Sequence, residues 1–143
     1  MSKIIIQKVS NEELKDVFKI RRKVFVIEQK VDPALEVDGL DKECDQFLAY
    51  DENRPVGTTR VRYLAGNEAK IERMAVLKDF RGKNIGSELI KFILDYLEQK
   101  GIETVVMNAQ LYAKNFYGKF GFEAQGDIFK EAGIKHIKMK KNL

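Results

Sequence analysis

The chain has 143 residues, of which 44% are hydrophobic and 34% charged, with a net charge of +4 and a single cysteine. This is enough apolar material for one compact domain over residues 1–143, and Cys44 alone excludes an internal disulfide. No apolar run approaches the ~20 residues of a membrane-spanning helix or has the shape of a secretory signal, so a cytoplasmic protein without a membrane partner is expected.

Ile4 to Lys8 reads as a strand, and Ser10-x-x-Glu13 as a capping box that opens the first helix. The apolar stripe of that helix is Leu14, Val17, Phe18, Val24 and Phe25. Arg21 falls on the same stripe, where an unpaired guanidinium is costly to bury, so a carboxylate or a carbonyl array is expected to meet it. A loop around Pro33 to Asp45 carries Glu36, Asp38, Asp41 and Asp45, whose spacing does not match a calcium loop. No metal is expected there; the cluster reads as a solvated rim that attracts amines.

Gln46 to Tyr50 and Pro55 to Tyr63 form a hairpin about the turn Asp51 to Arg54, and Lys70 to Val76 supplies the next strand. Leu89, Ile90, Ile93 and Leu97 mark an amphipathic helix that starts near Ser87 and ends at Gly101. Thr104 to Ala109 is a short β-branched strand. After it Ala113, Phe116, Tyr117 and Phe120 recur at helical spacing, three of them expected to face the core while Tyr117 aims its hydroxyl into a cleft. Gly121 stops this helix, and two last strands surround Phe122 and His136 to Lys140. The order βαβββαβαββ makes an α/β sandwich with a mixed sheet.

Between the third of these β-units and the long helix lies Arg81-Gly82-Lys83-Asn84-Ile85-Gly86. Gly82 and Gly86 permit backbone angles closed to other residues, so that amides converge on an anion, and the helix adds free N–H groups and its positive dipole end. The absence of a following Gly-Lys-Ser/Thr and of a full Gly-x-Gly-x-x-Gly ranks nucleotide hydrolysis and hydride transfer low. Lys78, Arg81 and Lys83 suit an anionic cofactor. The basic tail Lys138 to Lys141 lacks interleaved aromatics, so nucleic acid ranks below it.

The turn resembles the pyrophosphate-binding motif of the GCN5-related N-acetyltransferases, the GNAT family, whose pattern is Arg/Gln-x-x-Gly-x-Gly/Ala between a strand and a helix. Arg81 and Gly86 match; Asn84 stands at the first Gly, and Asn visits left-handed angles more readily than other non-Gly residues. Ala113-x-x-Phe116-Tyr117-x-x-Phe120-Gly121-Phe122 resembles the family's aromatic signature. Arg21-x-x-Val24-Phe25-Val26-x-Glu28-Gln29, Glu36-x-Asp38-Gly39-x-Asp41 and Glu131-Ala132-Gly133-Ile134-x-His136-x-x-Met139 look like the small bacterial acetyltransferases of the ElaA/YjcF type.

The resemblance implies a splayed sheet holding acetyl-CoA, the acetyl-donor cosubstrate, between the strand ending near Val76 and the strand near Val105. Met74 and Val76, with Ala75 between them, would offer backbone to the pantetheine arm. The loop Arg81, Gly82, Lys83, Asn84, Ile85, Gly86 and Ser87 would hold the pyrophosphate, and Asn115 would also touch the cofactor. Direct attack by a small-molecule or peptide amine in a ternary complex needs a base, for which Glu72 comes first and Glu28 second. A backbone amide near Met74 or Ala75 would polarise the thioester, and Tyr117 would protonate the sulfur. His136 reads as a hydrogen-bonded structural residue, with acceptor binding left open by its motif. Alternatives are an acyl-CoA-binding sensor without turnover and an acyl transfer like that of acyl-homoserine-lactone synthases. Monomer and homodimer are both compatible.

Overall fold

In the computed structural model, which describes residues 3–143, the chain forms a seven-stranded sheet in the order β1-β2-β3-β4-β5-β7-β6. The strands are β1 (Ile4–Val9), β2 (Asp45–Asp51), β3 (Arg54–Leu64), β4 (Glu68–Val76), β5 (Thr104–Gln110), β6 (Glu123–Glu131) and β7 (Ile134–Asn142). Only β4 and β5 run parallel, and every other neighbouring pair is antiparallel. The helices are α1 (Lys15–Arg21), α2 (Pro33–Glu36), α3 (Ile85–Gln99) and α4 (Lys114–Gly118). This is the expected mixed-sheet α/β sandwich, with α2 added where a loop was expected. No helix among the described residues is long and apolar enough to cross a membrane.

Strand alternation decides which residues meet which helix. Val61, Ala69, Ile71, Val105 and Met107 pack with Ile90, Ile93 and Leu97 of α3 on one face. Leu48 and Ala75 point to the other face and meet Leu14, Val17, Ile20, Val24 and Phe25. At the end of α3, Gly101 takes a φ of 80° that closes the helix as expected.

The first helix departs from its expected start. Ser10 spends its hydroxyl on the amide of Glu12, 3.2 Å away, and its carbonyl on the amide of Glu13, 2.9 Å away, so the capping box closes a local turn. Helical winding begins only at Lys15, with Leu14 as a cap that offers no side-chain bond. From Arg22 to Glu28 the helix widens into π winding, closed by Gln29 N–H donating to Val24 C=O at 3.0 Å. The buried stripe is Val17, Ile20, Arg21, Val24 and Phe25. Phe18 lies at its edge, 38% exposed, with its ring 5.2 Å from the Arg21 guanidinium.

Arg21 does meet carboxylates. It is 1% exposed and donates from Nε to Glu36 Oε1 at 2.5 Å and from Nη1 to Asp41 Oδ1 at 2.5 Å. Arg60, wholly buried, continues the network to Asp41 at 3.0 Å, Asp38 at 2.6 Å and Glu72 at 3.1 Å. Arg62 and Lys70 also reach Glu72, at 3.2 and 3.3 Å. The acidic cluster is therefore no solvated rim. Glu36 and Asp41 are buried, and their charges, with that of Asp38, are taken by guanidinium groups. Asp45 stands apart and accepts from the hydroxyls of Tyr63 and Tyr96 at 2.6 and 2.9 Å.

Removing one member of such a buried network strands its partners' charges, so Arg21→Leu is expected to cost about 3–5 kcal/mol. For a chain of this size the melting temperature then falls by roughly 10 °C, and an unchanged value overturns the role given to Arg21. Acid acts on the same groups. Hydrogen bonds from Arg60 hold the Asp38 carboxyl well below the usual range; burial raises Asp41 and Glu72, but bonds and charges from Arg21, Arg60, Arg62 and Lys70 outweigh it and leave both lowered. Carboxyls lowered on folding stabilise the fold above their unfolded pKa of about 4 and lose that contribution as pH falls through their folded values. Urea midpoints are thus expected to drop progressively below about pH 4, and a midpoint that rises on acidification contradicts the network's role.

Candidate functional site

β4 and β5 pair only at Glu68↔Thr104, Ala69↔Val105 and Lys70↔Val106, and then part. The cause lies in β4. Against β3, Thr58 faces Ala75 while Arg60 faces Glu72, so two steps of β3 match three of β4. The surplus residue is absorbed at Arg73, which takes a left-handed φ of 56°. A non-Gly residue there costs on the order of 1–2 kcal/mol, and the Arg73 guanidinium offsets this by donating to the Glu36 carbonyl at 3.0 Å and the Asp38 carboxylate at 3.3 Å. β5 meanwhile stays in register with β7 as far as Gln110↔His136. One strand follows β3 and the other follows β7, leaving the splayed gap expected between the strand that ends near Val76 and the strand that carries Val105.

The gap opens into a cavity of about 820 Å³. Glu72 to Val76 form one wall and Met107 to Gln110 the other, with Gly82, Asn84, Ile85, Gly86 and Ser87 at the mouth. Gly82 and Asn84 take φ of 77° and 64°, so Asn84 adopts the left-handed angle of a glycine and caps α3. The first helical bond runs from Glu88 N–H to Asn84 C=O at 3.0 Å, and the amides of Ile85, Gly86 and Ser87 precede it without a helical acceptor. Gly86, expected to supply unusual backbone angles, is instead an ordinary helical residue. A Cβ there would lie 3.3 Å from Phe116 Cζ, so its role is close approach between α3 and α4.

The remaining candidates are distributed unevenly. Arg81 borders the cavity mouth, but its guanidinium is held bidentately by Glu28 at 2.6 and 2.7 Å and donates from Nε to Val76 C=O at 3.0 Å. Glu28 thus borders not this cavity but a separate hollow of about 560 Å³ with Lys23, Arg54 and Lys78. The Arg81 hydrogen bond holds its carboxyl below the usual range despite partial burial. Lys83 lies outside the cavity wall with its ammonium 5.3 Å over the Phe80 ring, and Asn115 is exposed on α4 away from the wall.

Tyr117 borders the cavity as expected, yet it is also the buried residue of its helix. It is 8% exposed, packed edge-on against Phe116 and Phe122, whereas Ala113, Phe116 and Phe120 are half-buried. A 3₁₀ turn at Leu111–Ala113 precedes the five-residue α4, so the phase differs from that of a continuous α-helix. Its hydroxyl has no hydrogen-bond partner among the described residues, the residue lines the cavity, and burial pushes its pKa up.

Two further groups escaped the sequence reading. Gln29, at the end of the π segment, and Gln110, at the end of β5, exchange amide hydrogen bonds of 3.4 and 3.0 Å, fastening α1's extension to the open end of the gap. Arg73 carries no sequence signal for its left-handed angle. His136 lines the cavity, 6% exposed and stacked on Phe129 at 5.9 Å.

A family model described as an acetyltransferase (GNAT) domain matches residues 6–143. The uncharacterized N-acetyltransferase YjcF of Bacillus subtilis (strain 168) is 37% identical over 141 residues, covering 98% of this chain and 99% of its own. The crystal structure of Escherichia coli ElaA superposes with a TM-score of 0.84 at 26% identity over 99% of both chains. An acyl-CoA N-acyltransferase from Pseudomonas aeruginosa does so with a TM-score of 0.84 at 26% identity, again over 99% of both. With the splayed sheet, the glycine-bearing mouth and these matches over nearly its whole length, the chain belongs to the GNAT acetyltransferase family.

Proposed function

We propose that this protein moves an acetyl group from acetyl-CoA to an amine by direct attack within a ternary complex. The observation that carries the reading is the parting of β4 from β5 after three residue pairs, with the N-terminus of α3 at its mouth. Strand edges released from each other retain polar peptide groups, which an amide-bearing pantetheine arm satisfies as an added strand would. Met74, Ala75 and Val76 offer that edge. The amides of Ile85, Gly86 and Ser87 and the positive end of α3 suit the pyrophosphate. Lys83 and Asn115 then act at the outer rim.

At the inner end a backbone amide near Met74 or Ala75 polarises the thioester carbonyl. Tyr117, kept protonated by burial and with an unpartnered hydroxyl, protonates the departing thiolate. Glu28 orients Arg81, and Glu72 is held by three cations, which leaves it a weak base. The left-handed Asn84 favours a working cradle over the sensor reading, whose motive was the missing glycine.

Titration calorimetry is expected to show saturable binding of acetyl-CoA with no comparable heat from ATP or NAD, and its absence from folded protein sinks the proposal. Gly86→Val should weaken that binding at least tenfold, because the new methyl groups meet Phe116 and push α4 off the helix end. Tyr117→Phe should leave acetyl-CoA affinity intact and slow thiol release on the order of 100-fold. Unchanged turnover removes Tyr117 from the mechanism.

A further inference from the structure

Two faces of the gap differ in chemistry. Val105, Met107 and Ala109 of β5 join the apolar cluster under α3, so Asn108 and Gln110 point to the opposite face. His136 is the register partner of Gln110 on β7 and shares that face, as do Lys70 and Glu72 of β4, which alternate with the buried Ala69 and Ile71. A polar chamber thus lies across the gap from α3, bounded by β4, β5 and β7.

Most proton acceptors in this chamber are already committed. Glu36 and Asp38 are bound by Arg21, Arg60 and Arg73. Glu72 meets Arg60, Arg62 and Lys70. Cys44, behind them, is buried, and its thiol is pushed up to about 11 by that burial. His136 is different. Its Nδ1 lies 2.7 Å from the Ile134 carbonyl, which can only accept, so Nδ1 carries the proton of the neutral ring and Nε2 keeps its lone pair. Phe129 stacks on the ring and fixes its plane. Nε2 is 3.7 Å from Glu131 Oε2, whose other oxygen accepts from Asn108 at 3.4 Å. The turn Ala132–Gly133, with φ of 52° and 76°, folds β6 back on β7 and brings Glu131 to the histidine.

We propose that His136 Nε2 is the general base that deprotonates the acceptor ammonium, directly or through one water, with Glu131 positioning it and offsetting the charge it gains. This rests on the acetyl-transfer reading above. The ammonium gives one proton to Nε2, and the freed lone pair forms the C–N bond at the thioester carbon. The C–S bond then breaks and sulfur leaves with its electron pair. Tyr117 protonates that sulfur and takes back one of the two protons on the acylated nitrogen, leaving the N–H of the amide, while the imidazolium releases its own proton to water. The other charged groups on the chamber wall are Lys70, Glu72, Arg62 and Arg73 from the β3–β4 side, Arg81 at the mouth, Lys119 after α4, and Glu131. Lys138 follows on the same face of β7.

The test compares two small nucleophiles with acetyl-CoA as donor: ethylamine, an ammonium near neutral pH, and hydroxylamine, already neutral there. His136→Gln keeps a donor for Ile134 but has no base. It is expected to lose on the order of 100-fold in thiol release with ethylamine near neutral pH, to move the acid limb of the ethylamine pH profile upward toward the amine's own titration because only free ethylamine then reacts, and to keep acetyl-CoA affinity and a hydroxylamine rate close to wild type. Equal losses with both nucleophiles, or an unaltered ethylamine rate or pH profile, overturn the assignment. So does a wild-type protein that binds acetyl-CoA and uses hydroxylamine but never ethylamine. Failure of the wild type to bind acetyl-CoA strikes the donor reading instead. Should His136→Gln not fold, the wild type serves, since it has one histidine: carbethoxylation should abolish ethylamine turnover with acetyl-CoA binding intact, and hydroxylamine treatment should restore it. Full activity after carbethoxylation rejects the base.

Discussion

Everything about this site depends on a mismatch in β4. Held to β3 by an antiparallel ladder, β4 takes one residue more than its partner between Glu72 and Ala75, directly after its last pair with β5 at Lys70. A parallel pair that began as ordinary sheet becomes two edges facing a void, at a depth where unpaired peptide groups are costly. Such a gap leaves peptide groups without strand partners, which is what the proposed acetyl-CoA binding uses. The same geometry sets the direction of entry, because α3 starts where β4 ends and points its free amides at the mouth.

The bulge survives because it is tied down. Arg73 accepts a left-handed angle and, in return, its guanidinium reaches the end of α2 and Asp38. Asp38 is shared with Arg60, and Arg60 shares Asp41 with Arg21, so the strain in β4 is connected to the first helix through buried ion pairs. Five cations, Arg21, Arg60, Arg62, Lys70 and Arg73, surround four carboxylates, Glu36, Asp38, Asp41 and Glu72. Saturated in this way, the carboxylates tie the bulge to the first helix. On the opposite wall stands the lone imidazole, which no guanidinium among the described residues holds and which the proposed mechanism uses as its base.

The mouth shows how a departure from a motif can be physically silent. Asn84 replaces a glycine but takes the glycine angle, since its short polar side chain tolerates the left-handed region. Gly86 matches the motif for another reason: it leaves room for Phe116, so the loop and the aromatic segment downstream are one packed unit. Arg81, which reads as a phosphate ligand, spends its fork on Glu28 and on the Val76 carbonyl, bracing the end of β4 against α1's extension.

The sequence by itself determined the element order, the turn of the β2–β3 hairpin, the long amphipathic helix, the need of Arg21 for carboxylate partners and the family. These follow from periodicity, local turn chemistry and contiguous motifs, all of which act over a few residues. It misread the capping box at Ser10, which closes a local turn, the depth of Tyr117, which depends on helix phase, and the acidic cluster, whose partners lie far along the chain. Glu36 and Asp41 look solvated until Arg21 and Arg60 are brought to them across 15 to 20 residues of sequence. The bulge at Arg73, the amide pair of Gln29 with Gln110, and the meeting of His136 with Glu131 at the gap were decided only by tertiary structure, since strand register and long-range charge pairing leave no local trace in the residues that take part.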